Sequence, residues 1–401
     1  MTGLKGGRSG MALMVSTPTP SRRCRAAHYR GQVTFPFDAL RRWPDIEAPE
    51  LVAADAADRL ILDESASARA GLGAEEFVVI GDAYGALTLG AAAAGVTGIR
   101  VHQDPLTGEQ ALAANAAALG GAEAFRSLPL EPALVRGARV VLLRLPRSLD
   151  ALDDIAGLIA AHAAPDVTVF AGGRLKHMTV AMNGVLGRRF ARLDVTHARQ
   201  KSRVLVAREP HDGVDPQPRR SEHDGLVVCA YGGAFAGSAI DIGTRLLLEH
   251  LPAAIDGDGM LVDLACGTGV IATRLALQHP SRRVHASDQS AAAVASARAT
   301  VAANGVADRV DVVRDDLLSS LPAASADFVA LNPPFHSGAA VTDLIAPRMF
   351  ADAARVLPPG GELWVVWNSP LRYRPALERL VGPTRQIARN AKFTVTASVR
   401  R

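Results

Sequence analysis

At 401 residues the chain is too long for one ordinary hydrophobic core, and its 48% apolar residues, spread along the whole length, are enough to bury two. The formal charge of +4, from 44 Lys+Arg against 40 Asp+Glu, permits a nucleic-acid partner without requiring one. Three cysteines (Cys24, Cys229, Cys266), far apart and without a CxxC pair, exclude a disulfide framework and a zinc site and fit a reducing cytosol; no apolar run reaches the roughly 18–20 residues of a membrane helix.

Residues 1–30 carry Lys5, Arg8, Arg22, Arg23, Arg25 and Arg30 and no acid, a composition shared by disordered basic tails and organellar transit peptides. Glycines and prolines interrupt any amphipathic helix there, so residues 1–34 read as a disordered tail. The stretch at 208–224, REPHDGVDPQPRRSEHD, loses apolar periodicity and reads as a linker between a domain at 35–208 and one at 225–401. On each side, short β-branched runs alternate with Ala/Leu-rich helical segments, the pattern of an α/β domain with a largely parallel sheet.

The first half repeats the plan of the second in a fainter form. Strands are expected at 77–81, 99–104 and 139–143, with a closing strand pair within 189–207, and Asn115 falls near the place of Asn304. In the second half the expected strands are 260–265, 283–288, 310–314, 327–331 and 362–367, with helices at 271–278, 291–304 and 343–357. The runs 384–388 and 393–399 read as an antiparallel hairpin. The chain is therefore expected to be a duplication, two tandem Rossmann-like α/β domains of which the first has lost its functional turns.

The strongest local signal is Asp263-Leu264-Ala265-Cys266-Gly267-Thr268-Gly269, between a strand and a helix. Glycines there let a ligand approach the backbone, and the helix start offers free N–H groups. Asp288, at the end of the next strand, can accept hydrogen bonds from two ribose hydroxyls, so the ligand is an adenosine compound. Nicotinamide dinucleotide and S-adenosylmethionine compete for the site. The third glycine of the dinucleotide turn has no match after Gly269, and Asp263 suits an ammonium better than a phosphate, which favours S-adenosylmethionine. Asp315 and Asp316 follow the third strand, where a carboxylate can hold the adenine amine; a solvated loop is the alternative.

The second signal is Asn332-Pro333-Pro334-Phe335-His336 at the end of the fourth strand. An exocyclic base amine is a poor nucleophile because its lone pair is delocalised into the ring. The Asn332 side-chain oxygen and the Pro333 carbonyl can each accept one of its hydrogens and turn the nitrogen toward a methyl donor. The prolines Pro333 and Pro334 restrict the backbone, and Phe335 offers a stacking face for an unpaired base. His336 reads equally as a phosphate contact or a solvated loop histidine.

These residues resemble the two-domain ribosomal RNA guanine-N2 methyltransferases of the RsmC/RlmG type, over most of residues 40–401. The resemblance rests on Phe235, Asp241-Ile242-Gly243-Thr244, the turn from Asp263 to Gly269, Asp288, Asn332 to His336, and Asn390-Ala391-Lys392-Phe393. It implies two class I methyltransferase domains, the first degenerate and the second catalytic, with S-adenosylmethionine as cofactor. The substrate it implies is ribosomal RNA or a ribosomal subunit, with no membrane partner. Cofactor contacts are implied at Asp263, Ala265, Cys266, Gly267, Thr268, Gly269, Asp288, Asp316 and Asn332, with Gly243 and Thr244 in a closing loop, and base contacts at Asn332, Pro333, Pro334 and Phe335. Ala236 and Ala265 depart from the Ser and Gly usual at those places.

In the first half the matching turn is Gly81-Asp82-Ala83-Tyr84-Gly85, and Arg144 stands in place of Asn332; a guanidinium cannot accept an amine hydrogen. That half carries Arg174, Lys176, Arg188, Arg189, Arg192, Arg199, Lys201, Arg203 and Arg208 with only Asp194 among them, which suggests a grip on RNA phosphates, a solvated face being the alternative. Three activities remain open on sequence: guanine-N2 transfer, transfer to an adenine amine or a protein glutamine, and a non-catalytic RNA-binding role. A monomer in the cytoplasm is expected.

Overall fold

The computed structural model of the chain describes residues 35–334 and 339–401, so the basic segment before Phe35, and Phe335 and His336, lie outside the described residues. In the first half the elements run α1 (Ala56–Glu64), β1 (Phe77–Ile80), α2 (Ala86–Ala93), β2 (Ile99–His102), α3 (Leu106–Leu119), β3 (Phe125–Ser127), α4 (Pro132–Val135), β4 (Val140–Arg144), α5 (Leu149–His162), β5 (Thr168–Arg174), α6 (Val180–Gly187), β6 (Phe190–Val195) and β7 (Ser202–Pro210). A hairpin, β8 (Arg219–His223) and β9 (Leu226–Ala230), joins the two halves. There follow α7 (Ile242–Leu248), β10 (Met260–Leu264), α8 (Val270–Gln278), β11 (Val284–Asp288), α9 (Ala291–Ala303), β12 (Val310–Arg314), β13 (Ala326–Leu331), α10 (Ala339–Val356), β14 (Glu362–Asn368), α11 (Arg374–Leu380), β15 (Thr384–Arg389) and β16 (Phe393–Val399).

The two seven-stranded sheets have one topology. Their orders are β3-β2-β1-β4-β5-β7-β6 and β12-β11-β10-β13-β14-β16-β15, parallel except for the last two strands of each. Strands such as FVVI and FVAL are apolar at successive positions because both sheet faces are covered. In the first sheet Val78 and Ile80 pack into one core and Phe77 and Val79 into another; in the second, Leu261 and Val262 separate in the same way.

Sheet register makes the duplication residue-specific. Ile80 pairs with His102 and Leu143 where Leu264 pairs with Ser287 and Leu331, and Gly85 and Gly269 cap the following helices at the same interval. Arg144 therefore occupies the place of Asn332, and Gln103 that of Asp288. The correspondence at Asn115 is corrected by the same reasoning: α3 and α9 put it opposite Thr300. Each of those two side chains holds the backbone N–H and C=O of a preceding strap, Arg41 for Asn115 and Cys229 for Thr300.

The stretch 208–224 is more than a connector. Residues 219–223 form β8, a polar strand that pairs antiparallel with β9, and Val214 N–H donates to the Gly157 carbonyl of α5. No propensity signal marks β8, since its RRSEH sequence gains its order from the apolar partner LVVCA.

The halves meet through the loops that follow their second strands. Leu106 N–H donates to Gln289 O at 2.9 Å and Ala291 N–H donates to Asp104 O at 2.9 Å. Under the register correspondence these two bonds are mates, so the contact is a local pseudo-twofold between duplicated loops.

Candidate active site

A cavity of about 430 Å³ opens at the carboxyl ends of β10, β11 and β13, where the strand order reverses and open α/β sheets bind ligands. Its floor is the turn from Ala265 to Thr268. The backbone is left-handed at Ala265, Gly267 and Gly269 (φ 59°, 54° and 75°), and at Gly81, Ala83 and Gly85 in the first half (77°, 60° and 101°). A Cβ on Gly267 would meet nothing within 4 Å, so its lack of a side chain keeps ligand space open, whereas one on Gly269 would lie 2.8 Å from the Ala297 Cβ. Gly269 is thus a packing residue and does not line the cavity. Ala265 adopts the same strained conformation with a methyl group, at a cost of about 1 kcal/mol.

Asp288 sits half-buried at the end of β11. Its Oδ2 accepts Gly267 N–H at 3.0 Å and its Oδ1 accepts Ser290 N–H at 2.9 Å, which leaves one lone pair on each oxygen for a hydroxyl pair. Burial raises its pKa. Burial also pushes the Cys266 thiol well up, so this lining cysteine is an inert apolar contact.

Three sequence expectations change here. Asp263 does not line the cavity: its fully buried carboxylate lies beneath the turn and accepts Ala272 N–H at 2.8 Å from the first turn of α8. Asp315 lines the cavity, but its oxygens accept from Ser319 Oγ, Ser320 N–H (2.8 Å) and Ser320 Oγ (2.7 Å), so it caps a local turn. Asp316 is the freer carboxylate; burial raises its pKa and Arg348 lies 3.7 Å away. Gly243 is likewise outside the lining and donates its N–H to Asp241 Oδ2 at 2.9 Å.

Asp263 carries a pH prediction. Burial pushes its carboxyl up to about 8, and its Oδ1 has no hydrogen-bond partner among the described residues. A carboxyl protonated in the fold but ionised in the unfolded chain contributes stability fully below about pH 4, and that contribution is lost as pH rises through 8. Asp82, raised by burial to about 7, acts in the same sense. Thermal unfolding between pH 4 and pH 9 is expected to show stability falling as pH rises. Asp263→Asn should make that slope shallower; an unchanged slope would show that Asp263 does not titrate there.

Asn332, at the end of β13, is the residue on which the chemistry turns. Its Nδ2 donates to Thr244 Oγ1 at 2.8 Å and to Asp241 Oδ2 at 3.3 Å. Both acceptors are held by α7, whose N-terminus Asp241 caps. With both amide hydrogens committed, the orientation is set, and the buried Oδ1 has no partner among the described residues. Pro333 and Pro334 continue the lining. The sequence reading includes Thr244 as a cofactor residue, but not its bond to Asn332 or the part of Asp241. It also misses Asp45, Asp104, Pro105 and Thr107, four lining residues from the first half.

The matching place in the first half is filled. Arg144 pairs with Asp55 at 3.2 Å and with Asp58. Tyr84, in the turn, donates its hydroxyl to Asp45 at 2.6 Å with the Arg42 guanidinium over its ring. The basic stretch is also less free than its sequence suggests. Arg188 and Arg189 lie against Asp153, Arg199 against Glu64 and Asp63, and Arg192 and Arg208 against Asp194. Among the described residues, Arg174, Lys176, Lys201 and Arg203 have no ion pair. They gather where β5 ends and β7 begins, since Arg174 pairs with Ser202 and Gly173 with Arg203 in the sheet.

Comparison with known proteins agrees with this geometry. Residues 31–211 match the RLMG N-terminal domain and residues 225–397 the Methyltransferase small domain. A Streptomyces avermitilis protein named ribosomal RNA large subunit methyltransferase G is 36% identical over 375 residues, covering 90% of this chain and 97% of that protein. The chain belongs to the ribosomal RNA large subunit methyltransferase G family. A Shewanella amazonensis member is 34% identical over 90% of this chain and 96% of its own length. The fold is shared with a T. thermophilus 16S rRNA N2 methyltransferase (RsmC) solved with AdoMet and guanosine: TM-score 0.69, 20% identity, 86% of this chain and 92% of that one. As a member of this family the chain is an S-adenosylmethionine-dependent methyltransferase with two α/β domains. The open space above Gly267 and the spare acceptors of Asp288 fit that cofactor. Among the described residues there is no cluster able to hold a metal and no helix long and apolar enough to cross a membrane.

Proposed function

We propose that this family member methylates the exocyclic N2 amine of a guanine in large-subunit ribosomal RNA, with Asn332 as the residue that holds the amine. The observation that carries the proposal is the fixed amide of Asn332, which lines the cavity: Thr244 and Asp241 take the Nδ2 hydrogens and leave the buried Oδ1 as an acceptor without a partner among the described residues. S-adenosylmethionine, when bound, supplies a methyl group on a sulfonium. The turn from Ala265 to Thr268, Asp288 and Asp316 would hold that cofactor. Asn332 Oδ1 and the Pro333 carbonyl would each accept one amine hydrogen, drawing the nitrogen lone pair out of conjugation and along the transfer line. No strong base is needed, because the nitrogen becomes acidic as the new bond forms and its proton is lost to water, the amide and carbonyl oxygens acting only as hydrogen-bond acceptors. The relatives' names support a large-subunit RNA target, and the guanosine bound to the structural neighbour supports guanine as the base. Mass spectrometry of nucleosides from large-subunit RNA of a deletion strain tests it. Loss of N2-methylguanosine is expected, whereas loss of an N6-methyladenosine, or of methylglutamine in protein, would overturn it.

In this reading the first half grips RNA. The support lies in the four cations without an ion pair, Arg174, Lys176, Lys201 and Arg203, at the carboxyl edge of the first sheet, the same edge that reaches the cavity through Asp104. Reversing the charge of Arg174, Lys176 and Lys201 together should weaken RNA binding and reduce the slope of log K against log[salt] by about 2–3. The corresponding change at Arg188, Arg189 and Arg199, already committed to acids, should have the smaller effect; equal effects would remove this assignment. A ribosomal substrate implies work in the cytoplasm, and the way the halves cover each other supports a monomer.

A further inference from the structure

The cavity is built by both halves, though only the second carries the open turn. Asp104, Pro105 and Thr107 line it beside Asp288, Gln289 and Ser290. The hydrogen bonds between these two loops form a relay. Asp104 Oδ1 accepts Ser290 Oγ–H at 3.0 Å and Ala292 N–H at 2.9 Å, and Asp104 O accepts Ala291 N–H at 2.9 Å. Thr107 Oγ1 donates to the Gln289 side chain at 2.8 Å. Two of the first three N–H groups of α9, which a helix cannot satisfy internally, are therefore satisfied by the other half, and the third by Ser290 Oγ. Ser290 in turn donates its N–H to Asp288 Oδ1 at 2.9 Å. The Asp288 carboxylate is thus held on one side by Gly267 and on the other by a residue that Asp104 holds.

We propose that the first half is a structural part of the second half's cofactor site: Pro105 and Thr107 wall its ribose end, and Asp104 is a positioning residue that sets the Asp288 loop. The proposal rests on reading this cavity as the cofactor site. The duplicated loop after β2 no longer serves a ligand of its own, since Gln103 stands where Asp288 stands, and the loop has become the lid of its sister's pocket. Arg314 fastens the arrangement, donating to the carbonyls of Gln103 (2.9 Å) and Asp104 (3.1 Å) and pairing with Glu109 at 2.8 Å. Cofactor affinity then depends on a half that binds no cofactor itself.

The test uses the full chain and S-adenosylhomocysteine as the probe, with affinity read by calorimetry. Asp104→Ala is expected to raise Kd about tenfold, as losing one to two hydrogen bonds implies, with the loss in turnover falling on KM for the cofactor and not on kcat. Asp104→Asn, which keeps an acceptor oxygen, should restore most of the affinity, a rescue that general loosening of the interface would not give. Thr107→Val, which removes only a hydroxyl, should raise Kd about threefold and decides the matter alone should Asp104→Ala fail to fold. Asp288→Ala serves as the reference. If it weakens binding while the Asp104 and Thr107 variants do not, the inference is overturned and the cavity reading stands. If Asp288→Ala also binds normally, the cavity reading falls with it.

Discussion

Asn332→Ala is expected to lower methyl transfer by about 10²–10³-fold in kcat while leaving the affinity for S-adenosylhomocysteine within about threefold of wild type. The amide oxygen acts on the substrate nitrogen, while the Nδ2 group of the same side chain donates to Thr244 and Asp241 on the α7 side. Removing it should cost transition-state contact and little cofactor contact, so the loss should appear in kcat. Thr244→Val provides an intermediate case. It strips the nearer of the two Nδ2 acceptors and lets the amide turn over, presenting a donor where an acceptor is needed. Its deficit should therefore lie between wild type and Asn332→Ala. Single-turnover transfer of radiolabelled methyl to large-subunit RNA reads the chemical step directly. Parallel loss of transfer and of cofactor binding in Asn332→Ala would show that the residue holds the cofactor site together and does not grip the amine.

The parts of this site that were legible in the sequence are those whose chemistry is compressed into a few neighbouring residues. The glycine turn, Asp288 one strand further on, and Asn332-Pro333 each announce themselves because a strand end, a backbone conformation and a functional group must coincide. The contacts that orient them come from far away in the chain. Asp241 reaches Asn332 across 91 residues, and Asp104 reaches Ala292 across 188. Neither pairing leaves a local trace. Asp263 hides its role for a related reason: its position beside the turn suggests a ligand contact, but the strand pleat points it beneath the turn, where a helix N–H needs an acceptor. A count of charge along the basic stretch overstates its free cations because charge balance is spatial. Asp153 and Glu64 neutralise arginines that Asp194 alone could not. The duplication, by contrast, was visible even in its faint copy, because covered parallel strands must remain apolar whether or not the site between them still works.

At the opposite edge of the second sheet, Arg282→Ala is expected to destabilise the fold by about 3–5 kcal/mol without altering the cofactor affinity of the folded protein. Arg282 is 7% exposed and sits where β10, β11 and β13 begin. Its Nε donates to Gly259 O at 2.6 Å, its Nη1 to Gly257 O at 2.7 Å, and its Nη2 to Asp327 at 2.7 Å. Asp327 also accepts Gly259 N–H at 2.6 Å, so the guanidinium and the carboxylate together pin the loop that leads into the strand beneath the cofactor turn. Alanine would remove the donor from the carbonyls of Gly259, Gly257 and Ile255 and leave the half-buried Asp327 only its bond from Gly259 N–H, and the cost of a carboxylate stripped of its counter-charge exceeds the net worth of the pair. The strands are five to six residues long, so the change lies about 15 Å from Asp288 and Asn332. Urea unfolding should show a lower midpoint at an unchanged slope, while S-adenosylhomocysteine calorimetry below the transition should return the wild-type Kd. A weakened Kd in the folded state would mean that the sheet transmits strain along its strands, and that stability and cofactor binding are not separable in this half.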